Sequence, residues 1–199
     1  PATAQDDCFW LFSSGSTGRP KAAVHRHRDM VVTSELYGVG CLKITGDDIF
    51  YSAAKLFFAY GLGNAMTLPL WIGARLILDS RKPTPEITFA NISRYRPSLY
   101  FGVPTLYAAL LNTYDHADEK PNLTSLRACV SAGEALPANI LHQWQRNFGI
   151  DIIDGIGSTE ALHIFITNHI GAVVPGASGV LVPGYQALIL DEKDNEVPT

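Results

Sequence analysis

Residues 12–25 read Phe12-Ser-Ser-Gly-Ser-Thr-Gly-Arg-Pro-Lys-Ala-Ala-Val-His25, so that hydroxyls, glycines and one lysine lie between two apolar segments. The glycines let the backbone approach an anion closely, the hydroxyls can donate hydrogen bonds, and Lys21 supplies a compact cation. These features predict a loop that binds nucleotide phosphates. A P-loop would carry Ser or Thr directly after Gly-Lys at the head of a helix. Here a proline precedes Lys21, which favours an extended segment. A flexible Ser/Gly turn is the alternative.

The composition indicates a globular protein that does not attract nucleic acid. Of the 199 residues, 47% are apolar and 17% are charged, enough for one core arranged as one unit or two lobes. The net charge of −4 and the pI near 5.8 argue against nucleic acid as a partner. Cys8, Cys41 and Cys129 are far apart in apolar settings, which predicts reduced thiols in a cytoplasmic protein. Glycine, proline or polar residues interrupt every long apolar stretch, so we expect no membrane partner.

Strands and helices are predicted to alternate along most of the chain. The predicted strands are residues 8–12, 22–25, 48–52, 75–78, 98–101, 127–131 and 151–154. The predicted helices are residues 29–38, 61–72, 85–95, 104–114 and 137–147. This alternation predicts an α/β fold with a mostly parallel β-sheet layered with helices on both faces. Ligands of such sheets bind at the carboxyl ends of the strands.

Two of these strand ends carry residues suited to a nucleotide. Small residues in Val130-Ser-Ala-Gly-Glu-Ala-Leu-Pro137 leave room for a flat ring against the backbone. Ile153-Asp-Gly-Ile-Gly-Ser-Thr-Glu160 adds hydroxyls and a carboxylate. Magnesium is commonly bound by one or two carboxylates together with substrate phosphates, so Glu160 is a candidate ligand. The alternative for Glu160 is a carboxylate that pairs with a helix dipole.

The segment Ser13-Ser-Gly-Ser-Thr-Gly-Arg-Pro-Lys21 resembles the signature loop of the adenylate-forming enzymes, which include acyl-CoA synthetases, peptide-synthetase adenylation domains and luciferases. Three later segments resemble that family's motifs in the same order: Ser131–Ala135, Gly155–Glu160 and Gly176–Gly184. The resemblance implies the fold of the large N-terminal domain of an acyl-CoA synthetase. Many members carry an aromatic residue that stacks on adenine at the position of Ile156.

Site residues follow from this resemblance by position. The residues implied to hold the ATP phosphates are Ser13, Ser14, Gly15, Ser16, Thr17, Gly18 and Lys21. The residues implied to line the adenine and AMP are Ser131, Ala132, Gly133, Glu134, Ala135, Asp154, Gly155, Ile156, Gly157, Ser158 and Thr159. Thr159, Glu160 and Lys21 are implied to be catalytic, with Glu160 binding Mg²⁺.

Within the family, residues 53–64 and 102–107 look like the benzoate-CoA ligase branch, as does the segment after Glu160. The implied acid pocket is flat and apolar. Its predicted residues are Phe58, Ala59, Tyr60 and Gly61 on one wall, and Gly133, Ile156, His163 and Ile164 on the other. The alternatives are that Phe58 and Tyr60 are core aromatics and that His163 is structural. His25 is assigned to structure or surface.

The resemblance implies a two-step reaction that uses ATP, Mg²⁺ and coenzyme A to convert a small aromatic carboxylate into an acyl-adenylate and then a thioester. We expect residues 1–175 to form the α/β core and 176–199 to begin a truncated β subdomain, followed in the natural protein by a C-terminal domain. The chain alone is then expected to be inactive. Alternatives are adenylation of a fatty or amino acid, or a nucleotide-binding domain without catalysis. A hydrolase is disfavoured, because no Gly-x-Ser-x-Gly elbow is present.

Overall fold

The predicted phosphate loop connects the two strands of an antiparallel ribbon. The structure, a computed structural model, describes residues 1–14 and 19–197. Strand β1 (Asp7–Ser14) pairs with β2 (Pro20–Arg26), and Ser13 lies opposite Lys21. Lys21 is therefore on an extended segment, as predicted. The predicted phosphate-binding residues Gly15, Ser16, Thr17 and Gly18 lie outside the described residues.

A second, seven-stranded sheet forms the centre of the described structure. Its strands are β3 (Ile49–Ser52), β4 (Arg75–Ile77), β5 (Leu99–Gly102), β6 (Ala128–Ser131), β7 (Ile152–Gly157), β8 (Ile164–Thr167) and β9 (Val180–Leu181). They lie in the order β4-β3-β5-β6-β7-β8-β9. The first five are parallel, whereas β8 and β9 are antiparallel additions at one edge. The prediction of a mostly parallel sheet is confirmed, but β8 and β9 were not predicted.

Helices cover both faces of this sheet. They are α1 (His27–Thr33), α2 (Ala59–Leu62), α3 (Leu68–Ile72), α4 (Pro85–Tyr95), α5 (Pro104–His116) and α6 (Ala138–Phe148). Proline opens α4 and α5, where its missing N–H costs no hydrogen bond. The predicted helices 29–38 and 61–72 are more complex than expected. Each contains a π-helical segment, Ser34–Val39 after α1 and Gly63–Thr67 between α2 and α3.

Alternating residues of the buried strands supply two hydrophobic cores. Tyr100 on β5 packs with Tyr107 and Trp144 beneath α5 and α6. Its neighbours Leu99 and Phe101 pack on the opposite face of the sheet with the π-helical residues. All four residues of β5 are buried, which is expected of a parallel strand covered on both faces.

An ion pair between buried Asp48 and the more exposed Arg127 lies at the amino ends of the parallel strands, at the end of the sheet opposite the motifs. Asp48 Oδ1 accepts hydrogen bonds from Ser98 Oγ (2.6 Å) and Arg127 Nε (2.9 Å). Its Oδ2 accepts from Arg127 Nη2 and from the Thr45 amide, each at 2.9 Å. Burial acts to raise the pKa of Asp48, but the hydrogen bonds outweigh burial and the pKa is lowered. The network joins the starts of β3, β5 and β6.

The last described residues form a tight turn. Residues 176–199 are predicted to begin a truncated β subdomain, and in the structure the last described part of this range turns back on itself. Leu190 bridges Glu196, and the Val197 amide donates to the Ile189 carbonyl at 2.8 Å. The division between residues 175 and 176 remains a prediction, and β9 within the second part extends the main sheet. None of the helices in the described part of the chain is long and apolar enough to cross a membrane.

Candidate active site

A cavity of about 310 Å³ opens at the carboxyl ends of the parallel strands. Its lining residues are Ala54, Phe58, Ala59, Tyr60, Val103, Ala132, Gly133, Gly157, Ser158, Thr159, His163 and Ile164. They include residues from the predicted acid pocket and residues from the predicted nucleotide segments. The structure thus brings part of each predicted set together in one space. The residues of the predicted adenine set that do not line this cavity are Ser131, Glu134, Ala135, Asp154, Gly155 and Ile156. Ala54 and Val103 were missed, because each follows a strand by one or two residues and carries no polar signal.

Two of the predicted acid-pocket residues do not line this cavity. Gly61 is buried beneath it, and a Cβ there would overlap the Lys55 carbonyl oxygen. Ile156 is 45% exposed on β7, opposite Ile166 of β8. The roles of both residues remain predictions, and the geometry gives Gly61 a packing reason of its own.

Tyr60 joins α2 to the ends of the two central strands. Its hydroxyl lies within hydrogen-bond distance of the carbonyl oxygens of Gly102 (3.2 Å) and Val130 (3.1 Å). Burial raises the pKa of Tyr60 well above its usual value, so the hydroxyl stays protonated and able to donate. Phe58, by contrast, is 58% exposed at the start of α2. The alternative that both residues are core aromatics therefore agrees in part with the environment of Tyr60, but it does not agree with the exposure of Phe58.

His163 forms an uncharged part of the cavity wall. It is buried, and its Nε2 lies 3.0 Å from Asn64 Oδ1, which accepts the hydrogen bond. Burial lowers the pKa of His163 to about 4, so the imidazole is neutral at ordinary pH. Its ring centroid is 4.9 Å from that of Tyr37. His163 is hydrogen-bonded as a structural histidine would be, and it also contacts the cavity.

Glu160 lies in a turn that follows β7. Ser158 Oγ accepts a hydrogen bond from the Ala161 amide at 3.0 Å, and the Thr159 carbonyl accepts from the Leu162 amide at 3.2 Å. The Glu160 side chain is exposed. Within residues 1–14 and 19–197 there is no cluster of three or more His, Cys, Asp or Glu that could enclose a metal. One exposed carboxylate fits the magnesium mode in which phosphates supply the other ligands.

The ribbon contacts this turn through a residue that the sequence reasoning left to structure or surface. His25 on β2 is buried, and its Nε2 donates to the Thr159 carbonyl at 2.8 Å. Because side chains alternate along a strand, Lys21 lies on the same face of β2 as His25. Ser13 lies opposite Lys21 and shares that face, whereas Ser14 belongs to the other face. In the sequence, the four-residue spacing from Lys21 to His25 was the feature that could have indicated this shared face.

The predicted adenine segments contain unpaired polar atoms. Ser131, the last residue of β6, and Asp154, the third residue of β7, are buried neighbours. Asp154 Oδ2 accepts from Ser178 Oγ at 3.2 Å, and burial raises the pKa of Asp154. Ser131 Oγ and Asp154 Oδ1 have no hydrogen-bond partner among the described residues. Glu134 and Ala135 are exposed in the loop that follows, and Gly155 is buried.

Comparisons with known proteins agree with this arrangement. A family model described as AMP-binding enzyme matches residues 1–199. The chain is 51% identical over 199 residues to the benzoate--CoA ligase of Thauera aromatica, covering 100% of this chain and 37% of that protein. It is 45% identical over 200 residues to the 4-hydroxybenzoate--CoA/benzoate--CoA ligase of Rhodopseudomonas palustris, covering 98% and 36%.

Solved structures give the same result. A benzoate CoA ligase from Burkholderia xenovorans LB400 superposes with a TM-score of 0.90 at 45% identity, covering 98% of this chain and 39% of that one. The anthranilate CoA ligase AuaEII in complex with anthranoyl-AMP gives a TM-score of 0.92 at 40% identity, covering 98% and 37%. The chain thus spans less than two fifths of the length of these relatives. From the match along all 199 residues, the chain belongs to the AMP-binding enzyme family.

Proposed function

We propose that this chain forms the acid-binding and nucleotide-binding part of an aryl-CoA ligase that activates benzoate or a substituted benzoate. The observation that supports this most directly is a cavity lined by residues of the predicted acid pocket and by residues of the predicted adenine segments. A carboxylate held there lies beside Thr159, where the predicted phosphate site begins. Such an arrangement suits the attack of a carboxylate on a nucleotide, since the two reactants must be held in contact.

The character of the cavity wall favours an aromatic acid. Among the described residues that line it, none is Lys, Arg, Asp or Glu, and His163 is neutral. An amino acid would bring an ammonium group without a carboxylate to pair with it, which is costly in an apolar site. A volume of about 310 Å³ is at the lower end of the range of about 300–1,000 Å³ for small-molecule sites. A flat ring suits this space better than a long aliphatic chain.

The proposed chemistry needs no protein nucleophile. The carboxylate oxygen attacks the α-phosphorus of ATP, the bond to pyrophosphate breaks, and the thiol of coenzyme A then displaces AMP. We assign Lys21, Ser13 and Thr159 to the phosphates, and Glu160 to Mg²⁺. The bound Mg²⁺ neutralises charge on the triphosphate. The residues of this chain orient the two reactants and stabilise the charge that develops.

The complete ligase activity is proposed only for a protein that contains this chain together with segments equivalent to the rest of its relatives. Those segments include the C-terminal domain and the coenzyme A site. A cytoplasmic location is part of the proposal, and the three free cysteines support it.

A chimera tests the proposal. In it, this chain replaces the matched segment of the Thauera aromatica benzoate--CoA ligase, and carboxylate-dependent ATP–pyrophosphate exchange is measured with benzoate, hydroxybenzoates, aminobenzoates, acetate and a medium-chain fatty acid. Exchange with the aromatic acids is expected, with a loss of at least tenfold in Glu160→Gln and in Lys21→Ala. The matched controls are Glu119→Gln and Lys193→Ala, two exposed positions away from the cavity, which should retain exchange.

Two results would contradict the proposal. Exchange by a folded chimera with aliphatic acids alone would keep the adenylation chemistry and reject the aromatic pocket. No exchange with any acid, from a chimera with a cooperative melting transition, would favour a nucleotide-binding domain without catalysis.

A further inference from the structure

The π-helical segment Gly63–Thr67 packs behind His163, on the side away from the cavity, and holds this residue in the cavity wall. Gly63, the first residue of that segment, packs directly against the imidazole. A Cβ at position 63 would overlap His163 Cδ2 and Nε2, so the ring could not stay where it is. The next residue, Asn64, accepts the hydrogen bond from His163 Nε2 at 3.0 Å and is itself fully buried.

We infer that Gly63 and Asn64 are specificity-determining positioning residues, which hold the His163 imidazole back from the cavity and thereby keep room for a substituted benzoate ring. This inference rests on the proposed function, because it concerns the acid that occupies the cavity. Neither residue lines the cavity itself. Both act through His163.

The packing around His163 leaves the cavity as the open direction for movement. The Tyr37 ring centroid lies 4.9 Å from that of His163 and the Tyr60 centroid lies 6.0 Å away. Gly63 closes the side of the ring that carries Cδ2 and Nε2. A methyl group at position 63 therefore pushes the imidazole towards the space that the acid needs. Glycine is required here for a close approach, since interiors have few voids that could absorb a displaced ring.

Asn64 also fixes the orientation of the His163 imidazole. A carbonyl oxygen can only accept, so the hydrogen bond places the proton of the neutral imidazole on Nε2. An aspartate at position 64 would instead favour the imidazolium form, because a nearby anion stabilises the charged state. The cavity wall would then present a charged imidazolium to the apolar ring of the acid. Asn64→Asp is therefore expected to weaken acid binding more than ATP binding.

A double-mutant cycle in the same chimera tests the role of Gly63. For Gly63→Ala, we expect kcat/KM for 4-hydroxybenzoate relative to benzoate to change at least fivefold, with KM for ATP within twofold of the parent. In the His163→Ala background, the same Gly63→Ala change should alter that ratio by less than twofold. The control is Gly46→Ala, outside both π-helical segments, where the nearest atom to an added Cβ is the Ile72 carbonyl oxygen at 3.2 Å. It should leave the ratio unchanged.

The outcomes separate this inference from the proposed function. A parent chimera with acid-dependent exchange, but with the same acid ratio in Gly63→Ala, overturns the positioning role and keeps the function. Equal effects of Gly63→Ala with and without His163 also overturn it, because the change would then act by general destabilisation.

A second measurement does not depend on exchange. In ¹⁵N-edited spectra of the imidazoles of the full chain, Gly63→Ala should shift the His163 signals, assigned from the His163→Ala variant. It should leave those of exposed His142 in place. Unshifted His163 signals overturn the inference even if the parent chimera shows no exchange.

Discussion

Replacing His25 with leucine should loosen the turn that carries Thr159 and Glu160, while a side chain of similar bulk still fills the site. The wild-type imidazole is buried, donates through Nε2 to the Thr159 carbonyl at 2.8 Å and lies 5.3 Å from the Phe9 ring. Leucine keeps apolar contact with Phe9 but cannot donate. The substitution therefore removes the hydrogen bond between the ribbon and the turn.

The size of the effect of His25→Leu depends on which hydrogen bonds of the turn remain in the variant. A neutral hydrogen bond contributes about 0.5–1.5 kcal/mol. The Thr159 carbonyl still accepts from the Leu162 amide at 3.2 Å in the variant, so it is not left without a partner. We therefore expect a cost near the middle of this range, about 1 kcal/mol, which corresponds to a roughly fivefold weaker site for magnesium-bound ATP.

The assay is pyrophosphate exchange in the chimera, with KM measured separately for magnesium-bound ATP and for benzoate. His25→Leu should raise the first constant about fivefold and leave the second within twofold. His25→Gln, which can place an amide N–H near the position of Nε2, should recover most of the difference. His142→Leu is the control, since His142 is exposed on α6. The reasoning is refuted if folded His25→Leu shows an unchanged KM for ATP, or if both constants rise together.

Three further predictions concern stability and are checked by urea unfolding of the full chain. Burial lowers the pKa of His163 to about 4, against about 6.5 in an unfolded chain. The unfolded state therefore binds more protons between these values, and the free energy of unfolding should fall by roughly 3 kcal/mol as pH drops through this window. His163→Phe should lose this part of the pH slope, and an identical slope would contradict the assignment. Gly179→Ala, at φ +97° against the main chain of β8, should cost about 3–5 kcal/mol. Gly73→Ala, at φ +69° in open space, should cost only about 1 kcal/mol; equal costs would show that the close approach is not what matters at position 179. Asp48→Asn should destabilise by only about 1 kcal/mol at pH 7, because Arg127 is partly exposed and keeps its hydrogen bonds to the Leu42 and Lys43 carbonyls. The difference from wild type should vanish as pH falls below the lowered pKa of Asp48. A difference that persists in acid would instead indicate a packing effect.

Local signals sufficed for most of the sheet and helices, because apolar runs, prolines and glycines mark where each element begins and ends. The antiparallel strand β8 (Ile164–Thr167) was missed, since it follows the Glu160 motif closely and only Ile164 was considered, as a pocket residue. The contact of His25 with Thr159 joins residues 134 positions apart, and no periodicity in one sequence reports it. Gly63 packs on His163, which is also far away along the chain, and glycine has no side chain whose chemistry would indicate this contact.

The two π-helical segments have a consequence for how insertions and deletions act on this fold. Both contact His163, one through Tyr37 and the other through Gly63 and Asn64. A π turn holds one residue more than the α-helical pattern requires. Removing one residue from 34–39 or from 63–67 would restore that pattern, and Tyr37, or Gly63 and Asn64, would then lose their present positions against His163. The shape of the pocket therefore depends partly on the number of residues in these two segments. Among homologous sequences, we expect single-residue gaps in these segments to accompany a change of acid.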